Sequence, residues 1–190
     1  YIVRRLEKTR PFHGAKGCRF VFYGDCCSGI PGAEFERNFA AVNAQIRKLH
    51  KKPDFILFLG DHVAGGTEDE TVLRRQWRYW LDHEMGWVKG TPLYHVTINH
   101  DTYGEMSERV WRDVFHDIPR NGPVGQGGLS CWVRRGDLLL VCVNTSFSGL
   151  GGNGHVETAW LESVLRGHAD ARLKIVAGHY PVFPVNGYGD

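Results

Sequence analysis

The sequence predicts a single α/β domain with a mainly parallel sheet. Short apolar runs alternate along the chain with amphipathic segments of helix length. Runs without polar residues, such as residues 55–59, are typical of strands that are buried on both faces of a parallel sheet. Alternation of strand and helix indicates crossover connections between parallel strands. The 190 residues suffice for one domain, and the chain shows neither internal repeats nor a linker.

Composition favours a soluble globular protein, with 42% hydrophobic and 23% charged residues. A net charge of +2 gives no reason to expect a nucleic acid or a membrane as partner. The chain does not begin with Met, so we expect an incomplete N-terminus and leave the compartment open. The odd number of cysteines, 5, favours free thiols and a reducing, cytoplasmic compartment. Composition leaves the oligomeric state open.

The elements follow in order along the chain. Residues 1–18 form a basic, irregular N-terminal extension. We predict strands at residues 19–23, 55–59, 93–98 and 173–176, and a hairpin of residues 131–134 and 138–143. Apolar residues at steps of four and three predict a helix over residues 33–50, with Phe35, Phe39, Val42, Ile46 and Leu49 on its buried face. Further helices are predicted at residues 68–83, 107–116 and 157–166.

Polar residues follow four of the predicted strands, at the point where each strand ends. They are Asp25, Asp61, the pair Asn99-His100, and His179. Because right-handed crossovers bring the carboxyl ends of parallel strands to one edge, we expect these side chains to lie together. Mixed oxygen and nitrogen donors suit Mn²⁺, Fe²⁺ or Zn²⁺ better than Ca²⁺. Two such ions about 3.5–4 Å apart can hold a phosphoryl group and activate water, and Asp61, on a central strand, is our candidate for a shared ligand.

The order and spacing of these motifs resemble those of the calcineurin-like metallophosphoesterases. The motifs are Gly24-Asp25, Gly60-Asp61, Asn99-His100-Asp101 and Gly178-His179-Tyr180-Pro181, and the likeness runs from about residue 19 to the end. Residues 24–29 are more similar to the purple-acid-phosphatase-like branch than to the phosphodiesterase branch. The resemblance implies a metallophosphoesterase domain over residues 19–190, with the αββα sandwich of the family.

The resemblance also implies roles for individual residues. Asp25 would bind the first metal ion, Asp61 would bridge both ions, and Asn99 and His179 would bind the second. The cofactors would be two divalent or transition metal ions, namely Mn, Fe or Zn. The implied activity is hydrolysis of a small phosphoester, by activation of water between two metal ions for attack on phosphorus.

Two residues of the third motif have implied roles in proton transfer. His100 would not bind metal but would protonate the leaving oxygen, which suits an imidazole whose pKa lies near working pH. Asp101 would hold the His100 ring in the productive tautomer.

Three features depart from the family pattern. Cys27 stands where the phosphodiesterase branch has His, and Ala64 stands where purple acid phosphatases have Tyr. Cys27 is either a thiolate ligand, which would favour a softer ion, or a small residue in a tight turn. No Gly-His-x-His motif follows His179. We therefore expect a C-terminal truncation that removes this motif and the second sheet of the sandwich.

Other interpretations stay open. The main alternative is a non-catalytic binding scaffold with a degenerate metal site, which Cys27 and Ala64 favour. A more distant one is a thiol enzyme that uses Cys26 or Cys27, although no Cys-x-x-Cys pattern supports it. His62 either approaches the site or caps the next helix. The choice among monoester, diester and pyrophosphate substrates depends on loops 62–70, 121–128 and 145–156.

Overall fold

The computed structural model describes residues 17–181, which form two three-stranded sheets and their connecting helices. The first sheet is parallel, in the order β1 (Phe20–Tyr23), β2 (Phe55–Phe58), β3 (Leu93–His95). Its helices are α1 (Glu34–Arg47), α2 (Glu70–Tyr79) and α3 (Glu105–Val114), and a π-helical turn, Trp80–Glu84, continues α2. Among these residues, no helix has both the length and the apolar character that crossing a membrane requires.

The second sheet contains β4 (Cys131–Arg135), β5 (Leu138–Cys142) and β6 (Leu173–Ala177). Strands β4 and β5 form the predicted antiparallel hairpin, and β6 pairs with β5 in parallel after the crossover through α4 (Thr158–Gly167). The α/β class is confirmed, and the two sheets are consistent with the sandwich that the resemblance implies. The expectation that the predicted strands share one mainly parallel sheet is wrong. The expected loss of the second sheet is also wrong, because three of its strands are present. Periodicity predicts strands and crossovers, but it does not predict which sheet receives them.

Alternate residues of β5 show how the two sheets pack. Leu138, Leu140 and Cys142 join the core that contains the first sheet, including Phe55 and Phe58. The intervening residues of β5, Leu139 and Val141, pack on the other side in a separate cluster with Val164 of α4. Because side chains alternate across a strand, one face of the second sheet covers the first sheet and the opposite face carries α4.

Helix α1 is formed as predicted, but its buried face differs from the predicted one. Phe39 and Asn43 are buried, whereas Phe35, Val42 and Leu49 are exposed by 54%, 45% and 45%. The hydroxyl of Tyr23 donates to Asn43 Oδ1 over 2.8 Å. This bond allows a polar residue to occupy the inner face, which a count of apolar residues cannot predict.

Candidate metal centre

The loops after β1 and β2 run side by side and continue the pairing of the two strands. The Asp25 N–H donates to the Gly60 carbonyl over 3.1 Å, and the Cys27 N–H donates to the Asp61 carbonyl over 2.8 Å. Two further bonds link Ser28 with the second loop, one in each direction. This backbone pairing places Asp25, Cys27 and Asp61 next to one another just beyond the sheet edge.

Backbone strain is concentrated at the same three residues. Asp25, Cys27 and Asp61 have φ angles of +56°, +39° and +53°. Within residues 17–181 they are the only residues other than glycine with positive φ. An L-residue in this region costs about 1–2 kcal/mol, and such strain persists where the surrounding structure imposes it, often at functional sites. All three side chains border the site that the sequence predicts.

The Asp61 carboxylate occupies the centre of the site. Asp61 is 7% exposed, and its Oδ2 lies 3.7 Å from both Cys27 Sγ and His179 Nε2. Its buried Oδ1 has no hydrogen-bond partner among the described residues. Burial raises the pKa of Asp61, although His179 and His100 lower it in part. A buried carboxylate with an unpaired oxygen is costly unless a cation compensates it, so the residues present fit a bound metal ion.

His179 approaches Asp61 from the second sheet, immediately after β6. Its Nδ1 lies 2.7 Å from the Leu59 carbonyl oxygen. Because a carbonyl only accepts, Nδ1 carries the proton and the Nε2 lone pair faces Asp25 Oδ1 and Asp61 Oδ2, each 3.7 Å away. Gly60 permits this approach, since its φ is +98° and a Cβ there would lie 3.0 Å from His179 Nδ1. A backbone carbonyl that orients the ring in this way is typical of a metal-binding histidine.

Two clusters of donor atoms share Asp61. One contains Asp25, Asp61 and His179, and the other contains Cys27, Asp61 and His100. In each cluster the donor atoms lie within 4.8 Å of one another. Four predicted site residues are thus brought together, although they come from two sheets rather than from one edge. Another predicted ligand, Asn99, lies half-buried in the turn after β3. The roles of all these residues in binding metal stay predictions.

His100 is oriented by a backbone carbonyl rather than by its neighbour Asp101. Its Nδ1 lies 2.7 Å from the Ala64 carbonyl oxygen, which makes Nδ1 the protonated nitrogen and leaves Nε2 for chemistry. Gly65 has a φ of +58°, and a Cβ at this residue would overlap the His100 carbonyl oxygen. The glycine therefore lets the loop after β2 pass directly against the His100 turn.

Asp101 pairs with His62, which corrects the role that we expected for it. Asp101 is fully buried, its Oδ1 accepts from the His62 backbone N–H over 3.0 Å, and its Oδ2 lies 2.8 Å from His62 Nδ1. The sequence places Asp101 beside His100 but does not define the direction of its side chain in a turn. The pair links the loop that carries Asp61 to the turn that carries Asn99 and His100.

Neither predicted alternative for His62 is correct, because its ring lies in the core. Its Nε2 is 3.0 Å from His95 Nδ1. Aromatic rings surround it, with centroid distances of 4.3–5.6 Å to Phe58, Trp77, Trp80 and Trp111. Burial lowers the pKa of His62 well below its usual value and raises the pKa of Asp101 to about 8. Both shifts favour a neutral Asp101–His62 pair, which sequence analysis missed because no local pattern joins residues 39 positions apart.

Gly65→Ala and Gly66→Ala form a matched test of the close approach to His100. Both glycines have positive φ, but a Cβ at Gly66 would meet only the Ala64 carbonyl oxygen, at 3.9 Å. We expect Gly66→Ala to lower the free energy of unfolding by about 1–2 kcal/mol, the cost of the left-handed backbone. Gly65→Ala adds a steric overlap and should cost about 2–5 kcal/mol. Urea unfolding measures both, and equal losses would contradict the close approach.

Asp101→Asn tests the neutral pair through the pH dependence of stability. The folded pKa of Asp101, about 8, lies above its usual 3.8, so the folded protein holds a proton that the unfolded chain releases. This contribution is lost as pH rises through about 8. Below about pH 6.5 the unfolded chain gains a proton on His62, which the folded protein does not bind because its folded pKa is lowered. This proton offsets the one that folded Asp101 holds, so the free energy of unfolding no longer changes with pH. The free energy of unfolding should therefore fall by up to about 1.4 kcal/mol per pH unit between about 6.5 and 8.

In the Asn variant this slope should largely vanish, since an amide can donate to His62 Nδ1 and accept from its N–H at any pH. Urea unfolding with a chelator present gives the slopes. The exposed Asp117, changed to Asn, is the control and should keep the slope of the parent protein. Equal slopes in the Asp101 and Asp117 variants would rule out the neutral pair.

Comparison with protein families identifies what this chain is similar to. The family model described as calcineurin-like phosphoesterase matches residues 18–190. The comparison with curated proteins gave no significant match. The likeness to the purple-acid-phosphatase branch and the C-terminal truncation remain predictions. Since the match extends over nearly the whole chain and its Gly-Asp motifs lie at the paired strand ends, the chain belongs to the calcineurin-like phosphoesterase family.

Proposed function

We propose that this protein is a metal-dependent phosphoester hydrolase whose two metal ions share Asp61. The family indicates metal-dependent phosphoester hydrolysis, and the residues present include candidate metal-binding groups. The observation that supports a shared Asp61 is its buried carboxylate, which has an unpaired oxygen and belongs to both donor clusters. The substrate would be a small phosphoester.

The proposed ligands come from the two paired loops, from the turn after β3 and from the second sheet. Asp25 and Asp61 would hold the first ion, and Asp61, Asn99 and His179 would hold the second. When bound, such ions polarise phosphoryl oxygens and make a water molecule more acidic. The chain's own contribution is orientation, because the paired loops place the backbone of Asp25 next to that of Asp61 and the Leu59 carbonyl aims His179 Nε2 at the two carboxylates.

His100 is the proposed general acid. Its Nδ1–H is held by the Ala64 carbonyl, so a protonated ring presents its second N–H, on Nε2, to the site. From there it can donate a proton to the leaving oxygen of a phosphoester as the bond to phosphorus breaks. Ala64 thus contributes through its backbone, although it lacks the Tyr side chain that purple acid phosphatases have.

The described contacts support an enzyme over the two alternatives. A binding scaffold has no use for three strained residues around an unpaired buried carboxylate, since relief of that strain would stabilise the fold. A thiol enzyme needs a cysteine with a lowered pKa. Burial and the neighbouring Asp61 instead raise the pKa of Cys27 to about 12. The Cys26 thiol is buried and directed to the His62 carbonyl, 3.0 Å away.

Asp61→Asn should abolish both metal binding and hydrolysis. The amide keeps the size of the side chain but removes the negative charge that two cations would share. We expect hydrolysis of an aryl phosphate monoester or diester by the full-length protein to fall more than about 100-fold. Loss of a residue that only hydrogen-bonds to a metal ligand costs about 10–100-fold, and loss of a ligand should cost more. Metal content by plasma mass spectrometry should fall in parallel.

Asp117→Asn is again the control and should keep both metal and activity. Comparison of the monoester with the diester shows which ester class the protein hydrolyses. A protein that binds no Mn²⁺, Zn²⁺ or Fe²⁺ and hydrolyses neither ester would contradict the proposal and favour the scaffold.

His100→Asn separates proton transfer from metal binding. An alkyl phosphate needs a protonated leaving oxygen, whereas an aryl phosphate with an acidic leaving group needs it much less. We expect turnover of the alkyl ester to fall by about 10²–10⁴-fold and turnover of the aryl ester to fall far less. Metal content should stay unchanged. Loss of metal together with equal losses for both esters would instead make His100 a ligand.

A further inference from the structure

We propose that Cys27 is a thiolate ligand of the first metal ion, the one that Asp25 and Asp61 would hold, and that it makes this position selective for zinc-like ions. The proposal rests on the proposed function, because it concerns one of the two metal ions of that site. It assigns a ligand at the residue where the chain departs from the family pattern.

The distance between the donor atoms fits a shared ion. Cys27 Sγ lies 3.7 Å from Asp61 Oδ2. A tetrahedral zinc ion, with a Zn–S distance near 2.3 Å and a Zn–O distance near 2.0 Å, holds these two atoms about 3.5 Å apart. A nitrogen of His100 lies within 4.8 Å of both. A substrate on this ion would therefore lie close to the proposed general acid.

The contrast with Cys26 shows that the Cys27 side chain is directed into the site. Cys26 is 6% exposed, belongs to the hydrophobic core and contacts backbone carbonyls. Cys27 is half-buried, and its thiol contacts a carboxylate oxygen of Asp61. Two adjacent cysteines thus have different surroundings, and only the second lies among metal-binding groups in the described chain.

The environment of Cys27 also opposes its interpretation as a turn-filling residue. Its φ is +39°, a backbone conformation that glycine adopts without the cost that a side chain incurs. The contact partner, Asp61, is itself buried and keeps Oδ1 unpaired. A cation bound to the thiolate and to Asp61 Oδ2 would compensate the charge of this buried carboxylate. Binding would replace the thiol proton by the metal ion and release that proton to solvent.

Thiolate coordination would make the two positions chemically different. Sulfur is a soft donor that favours Zn²⁺, Co²⁺ and Cd²⁺ over Mn²⁺ and Mg²⁺. The second ion, which Asp61, Asn99 and His179 would hold, has only oxygen and nitrogen donors. We therefore expect one position to retain zinc-like ions and the other to accept Mn²⁺.

Cadmium substitution tests the thiolate directly, without an activity measurement. The metal-free full-length protein is loaded with Cd²⁺, the bound ion is counted by mass spectrometry, and the sulfur-to-cadmium charge-transfer absorption is recorded in the ultraviolet. The parent protein and Cys26→Ser should show the band of one thiolate. Cys27→Ser should bind Cd²⁺ at the other position but lack the band.

Zinc titrations supply the second readout. Zn²⁺ affinity at the selective position should fall in Cys27→Ser by at least about 10–100-fold, the loss that even outer-shell changes cause. Mn²⁺ affinity should change little. Cys27→His should recover tight Zn²⁺ binding without the charge-transfer band, because imidazole is also a borderline donor.

The outcomes separate this proposal from the proposed function. Bound Cd²⁺ without the band in the parent protein would overturn the Cys27 assignment and leave the two-metal hydrolase intact. Loss of the band in Cys26→Ser, with retention in Cys27→Ser, would overturn it as well. Failure to bind any divalent ion would overturn the proposed function and this inference together.

Discussion

The structure of the site depends on one constraint, the burial of the Asp61 carboxylate at the end of β2. A carboxylate that has lost water must recover its interactions from the protein or from a bound cation. Here Oδ1 has no described hydrogen-bond partner, and Oδ2 has only long contacts, at 3.7 Å. The left-handed backbone of Asp61 adds a further cost. Such an arrangement is understandable if a metal ion supplies the missing interactions.

Backbone groups do much of the positioning around this carboxylate. The two histidines of the site each present Nδ1 to a main-chain carbonyl, that of Leu59 for His179 and that of Ala64 for His100. Leu59 directly follows β2, and Ala64 lies in the loop after β2, where its N–H donates to the Ser28 carbonyl. The orientation of both rings therefore follows from the backbone of the fold. The Asp101–His62 pair links the same loops on their inner side, within the aromatic core. The side of these loops that faces the candidate metal centre and the side that faces the core are therefore stabilised by different means.

Much of the fold could be predicted from the sequence, because continuous apolar runs mark buried strands and polar residues at their ends mark the site. Asp25, Asp61 and His179 were identified in this way, and the structure brings them together. The strand pattern could not predict the partition into two sheets. A helical crossover allows β6 to pair in parallel with an earlier strand, and either β3 or β5 would meet that condition. The partner of Asp101 could not be predicted either, because side-chain direction in a turn depends on contacts that are distant in sequence.

The central claim is that Asp61 is shared by two metal ions. Anomalous diffraction from crystals of the full-length protein soaked in Zn²⁺ and Mn²⁺ tests this claim most directly. We expect two anomalous peaks about 3.5–4 Å apart. Each peak should lie within bonding distance of a carboxylate oxygen of Asp61, whether the two ions bind the same oxygen or one oxygen each. Two peaks that both avoid Asp61, or no peak at this edge of the sheets, would contradict the account.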